Sequence, residues 1–201
     1  MKAINRLFLF LFIILFFGFN NLSYSQELAI TKGMTLKYKI VHGTDSIKLQ
    51  VMMKEVSNQV IFDFILRSMN SFYGRVIMTP NALKNGTKQY NYSIKGDITL
   101  TDATAVLMSQ YVYSALKEAG EIKMAPDGKE KAYKIIKEQN YEVIKDGKKI
   151  SVPAILVESD GAPKDMFLIA DNKDFPIILR MNLGFIFDLE EVDSEEIPSN
   201  H

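Results

Sequence analysis

Cysteine is missing from this chain altogether, and histidine occurs only at His42 and His201. The first absence excludes disulfides, thiolate nucleophiles, zinc–cysteine sites, iron–sulfur clusters and thioether-linked haem. The second leaves His-based metal sites and Ser-His-Asp triads almost nothing to work with. An excess of charge of one sign is lacking too, since 24 Lys and Arg stand against 24 Asp and Glu. No electrostatic argument therefore points to nucleic acid or to an anionic membrane surface. The patterns G-x-S-x-G, H-E-x-x-H, G-x-G-x-x-G and the Walker A loop do not occur. With no legible acid, base and nucleophile set, the chain reads as a non-enzyme without metal or cofactor. No internal repeat, low-complexity tract or linker divides it.

One long apolar run is present. Lys2 and Arg6 precede Leu7 to Phe19, thirteen residues that are apolar apart from Gly18, and a polar stretch Asn20–Ser25 follows. A bilayer span needs about 20 apolar residues, so this run is too short to be an anchor. Its three-part layout is that of a secretory signal peptide over residues 1–25, cleaved after Ser25. An N-terminal membrane anchor is the alternative. The expectation is a periplasmic or secreted protein that does not span the membrane after processing. Residues 26–201 then form a single β-rich domain with a frayed acidic tail (193–201). A chain of that size buries about 70% of its unfolded surface, enough for a core without disulfide staples.

The remainder alternates with period two. Met34, Leu36, Tyr38 and Ile40 are separated by Thr35, Lys37 and Lys39, which marks a half-buried strand. Similar runs at 47–54 and 60–67 follow after short turns and predict an antiparallel meander. Further strands are expected at Tyr73–Thr79, Lys88–Lys95, Glu121–Ala125, Lys131–Val143, Ile150–Glu158, Asp165–Ala170, Pro176–Met181 and Phe185–Val192, with a helical reading also open for Lys134-Ile135-Ile136-Lys137. Asp146-Gly147 is the clearest hairpin signal, because both residues tolerate positive φ.

One segment breaks that period. Ala105, Met108, Val112, Ala115, Leu116 and Ala119 trace one helical face. The spacing predicts a helix over about 102–119, with Thr101 or Asp102 as N-cap and Gly120 beyond its end. The fold class expected is mainly β: a strongly curved antiparallel sheet or open half-barrel of roughly ten strands, covered by this one amphipathic helix.

The C-terminal stretch carries a resemblance. Val152-Pro153-Ala154, Ile155-Leu156-Val157-Glu158, Phe167-Leu168-Ile169-Ala170, the turn at Asp171-Asn172, Phe175-Pro176-Ile177-Ile178-Leu179, Gly184 and Phe185-Ile186-Phe187-Asp188-Leu189 together resemble the end of uncharacterised periplasmic all-β domains of Gram-negative bacteria. Those domains are similar in shape to the Lol-type lipoprotein carriers. The resemblance implies an open barrel whose last strands are joined by the polar turn and the proline, and it implies no catalytic residue.

Two functions stay open at this point. Nine methionines follow Met1, and many fall on inward faces together with aromatic residues. Interiors rich in methionine repack around apolar guests. Phe62, Phe64, Tyr90, Tyr92, Met108, Tyr111, Val112 and Leu116 are thus the candidate lining of a site for an apolar small molecule or lipid. The alternative is a non-enzymatic structural or interaction protein of the cell envelope, whose interior is filled and whose partner is an envelope protein. A space above about 300 Å³ separates the first from the second. His42 reads as a turn histidine, and Asp171–Asp174 as a plain Asx turn rather than a calcium loop, since it lacks the glycine and distal glutamate.

Overall fold

The computed structural model describes residues 26–67, 71–90 and 96–194. The expected leader (1–25), Tyr92, most of the expected strand 88–95 and the tail from 195 lie outside the described residues.

The N-terminal meander forms as its alternation requires. Strands β1 (Thr35–His42), β2 (Asp45–Val56), β3 (Val60–Arg67) and β4 (Phe72–Met78) pair antiparallel in sequence order. One face buries Leu36, Tyr38, Val51, Phe62, Phe64 and Val76. Each such side chain contributes about 1.5–3 kcal/mol by leaving water. The other face keeps polar pairs such as Arg75 Nε–Asp63 Oδ1 at 2.6 Å.

Thr79 ends β4 and caps helix α1 (Pro80–Asn85), its hydroxyl accepting from Ala82 N at 3.2 Å. Proline at the first helical position suits that start, because its missing N–H would be unpaired there. The short strand β5 (Lys88–Gln89) follows, then β6 (Ile98–Leu100), which returns alongside β4 in parallel. Gly74 permits the crossing chain to approach, since a Cβ there would lie 2.2 Å from Gly96 O.

The predicted helix is corrected at its N-terminal half. Residues 102–109 are not helical: β7 (Ala103–Thr104) pairs with β5, and helix α2 covers only Gln110–Ala119. Ser109 is the N-cap in place of Thr101 or Asp102, accepting from Val112 N at 3.2 Å, while Gly120 closes the helix at φ 74°. Thr104–Ser109 is buried, and its backbone is claimed by distant partners. Ile178 N donates to Val106 O at 2.9 Å, and Met108 N to Pro176 O at 2.9 Å. Val106 sits at φ 57°, which no helix admits. Tertiary hydrogen bonds override the apolar spacing here.

The C-terminal half matches its alternation closely. β8 (Glu121–Met124) pairs with the start of β9 (Lys131–Lys145), and β9 forms a long hairpin with β10 (Lys148–Ser159). Asp146 and Gly147 join them at φ 50° and 73°, as a two-residue turn with both central residues left-handed requires. β11 (Met166–Ala170), β12 (Ile178–Asn182) and β13 (Ile186–Asp193) complete the sheet. Asp193, expected in the frayed tail, is paired with Thr35, and Ser194 N donates to Asp146 Oδ1 at 2.7 Å.

Eleven strands form one sheet in the order β6-β4-β3-β2-β1-β13-β12-β11-β10-β9-β8. The protein is mainly β, with two helices among the described residues. The sheet is not wholly antiparallel, because β4–β6 and β13–β9 run parallel. The β13–β9 contact (Glu191↔Ile144, Val192↔Lys145) makes β9 through β13 a closed cycle of five paired strands.

Candidate functional site

The inward positions read from alternation converge. Phe62, Phe64 and Leu116 are 0% exposed, Val112 1% and Met108 2%, and all belong to one continuous apolar cluster. Tyr90 is half-buried and packs against that cluster. Tyr111 is a correction: it stands 53% exposed. On α2 the buried side is Val112, Tyr113 and Leu116, so Tyr111 points away and its neighbour Tyr113 takes the interior place. The other large exposed apolar residues, Tyr73, Ile136 and Ile144, sit apart on β4 and β9, and single exposures of this kind are ordinary.

A pocket of about 220 Å³ lies where four segments meet. They are the β2–β3 turn at Ser57 and Asn58, helix α1, the chain entering α2, and the β11–β12 connection at Asp174–Pro176. Leu83, Leu107, Met108 and Phe175 supply its apolar wall, with Lys84 and Asp174 as its charged groups. Its floor is held by hydrogen bonds. Gln89 Nε2 donates to Leu107 O at 3.1 Å and lies 3.4 Å from Met108 Sδ. Asn172 Oδ1 accepts from Asp174 N at 2.9 Å and Phe175 N at 3.1 Å, which is the Asx turn expected of that segment. Sequence reasoning had Met108 but missed Lys84, Asp174 and Phe175. Thr79-Pro80, a capping residue before a proline, was the signal that could have placed α1.

Three tyrosine–aspartate pairs tie the C-terminal half together. Tyr133 Oη donates to Asp165 Oδ2 at 2.7 Å, and Lys131 Nζ approaches the same oxygen at 2.6 Å. The Tyr113 hydroxyl donates to Asp171, which also takes Lys117 Nζ at 3.1 Å. Tyr141 Oη lies 2.7 Å from Asp188 Oδ1 and 2.8 Å from Leu189 O. Burial first, and then the carboxylate partner, pushes all three phenols well above their ordinary range. The hydrogen bonds that Lys131 donates to Asp165 and Lys117 to Glu138 likewise raise these two amines. These phenols stay protonated donors and these amines stay charged, the reverse of what a general base or an amine nucleophile needs.

Among the described residues no three His, Asp or Glu side chains come close enough to hold a metal ion. No described helix is long and apolar enough to cross a membrane. Comparison with protein families, with curated proteins and with solved structures finds no match to this chain.

Proposed function

We propose that this protein is an exported, non-enzymatic interaction module of the bacterial cell envelope, with a filled core and a protein partner. One observation carries the reading. Five of the side chains expected to line a lipid space, Phe62, Phe64, Met108, Val112 and Leu116, are buried in one apolar cluster, and the pocket, at about 220 Å³, falls short of the roughly 300 Å³ at which drug-sized ligand sites begin. On this reading the sheet is curved, its five-strand cycle forming the tighter end, and α2 covers the open side through Val112, Tyr113 and Leu116. The likeness in shape to Lol-type carriers then extends to the shell and not to the cargo. The n-, h- and c-region order of residues 1–25 supports delivery to the periplasm or the exterior.

The alternative carrier for an apolar ligand requires α2 to act as a lid. Amide exchange across 110–119, with and without oleate or phospholipid vesicles, separates the two. A core helix exchanges slowly and is unchanged by either lipid. Fast exchange that lipid slows would overturn the filled-core reading, because a ligand protects the state that it binds.

A further inference from the structure

We propose that the pocket between α1 and the β11–β12 connection is a preformed socket for one large apolar side chain of a partner polypeptide, with an acidic residue of the partner over Lys84 and a basic one over Asp174. The inference rests on the interaction reading above and says where the partner docks.

Size argues for a single side chain. An apolar space of about 150 Å³ accepts a benzene ring, so about 220 Å³ suits one aromatic or branched group better than a long acyl chain. It is a pocket open to the surface where four segments meet. Two hydrogen bonds tie its walls together. Met108 N–Pro176 O at 2.9 Å joins the entry of α2 to the β11–β12 connection, and the Asn172 turn holds Phe175 in place. A socket fixed in advance loses little freedom on binding, and apolar anchors in such pockets dominate interface energies.

Charge supplies the second argument. Lys84 in the last turn of α1 and Asp174 after the Asx turn both line the pocket, and both are exposed. Neither side chain takes part in an ion pair or hydrogen bond among the described residues. Two unpaired opposite charges at an apolar pocket complement a segment that carries an apolar residue between an acid and a base.

The test is a titration of the whole mature domain, labelled at its methionine methyl groups and read at Met108, with Met166, at the end of β11 away from the pocket, as the reference. Probes are acetyl-Glu-Phe-Lys-amide, its reversed sequence, the alanine analogue acetyl-Glu-Ala-Lys-amide, free phenylalanine and sodium decanoate. The expected result is a saturable Met108 shift with one of the two phenylalanine peptides, at millimolar affinity as suits one anchor, with none from the alanine analogue. Lys84→Glu should weaken that binding about threefold or more, and Lys84→Arg should retain it. No Met108 shift with either phenylalanine peptide would overturn the socket alone. Free phenylalanine binding as well as the peptide would overturn the polypeptide occupant. Saturable decanoate binding would overturn both the socket and the filled-core reading.

Discussion

Tyr133, Tyr113 and Tyr141 show how much of the cohesion of the C-terminal half rests on single polar contacts. Each phenol is protonated in the fold, and each has its folded pKa raised above the ordinary value of 10.0. A group of this kind stabilises fully below its unfolded pKa and loses that contribution as pH rises towards the folded one. Stability should therefore hold to about pH 10 and fall above it, with phenolate absorbance at these three residues appearing together with unfolding. Ionisation of Tyr113, Tyr133 and Tyr141 themselves near pH 10 in a protein still folded would contradict the contacts. These pairs were not legible in the sequence, because the partners lie 32, 47 and 58 positions apart. Phe62, Phe64, Val112 and Leu116 were legible as interior, since alternation or helical spacing fixes their face locally. Tyr111 was misplaced because a flanking apolar row on a short helix has no fixed side until its neighbours are known.

At the level of elements, the strands were read well and the helix was read too long. Period two needs only the local chain, and eleven of the thirteen strands among the described residues overlap an expected run. β6 and β7 escaped because three- and two-residue strands carry no period. Buried Thr104–Ser109 imitated a helix because an irregular segment buried on all sides also shows apolar residues three and four apart. The β9–β10 turn is the element whose chemistry was fully written in sequence. Gly147 holds φ 73° with open space around the missing side chain. Gly147→Val should cost about 1–2 kcal/mol through backbone strain alone, read as a lowered midpoint of chemical denaturation with an unchanged slope. Unchanged stability would mean that the turn is not left-handed at that residue.

Across the whole molecule, topology joins two regions that the sequence presents as separate. β13 comes last in the chain yet pairs with β1, and its end meets β9. That places both meanders in one sheet around one apolar cluster. Composition had already weighed against metal and thiol chemistry, and many of the methionines and aromatics that suggested a guest belong to one buried apolar cluster. Whether a lipid is carried is the question on which the account turns. Native mass spectrometry of the protein, purified gently from its own cell envelope, answers it most directly. The account predicts the mass of the processed polypeptide with no lipid adduct. A stoichiometric adduct of fatty-acid or phospholipid mass, lost on delipidation and regained on adding that lipid, would contradict it.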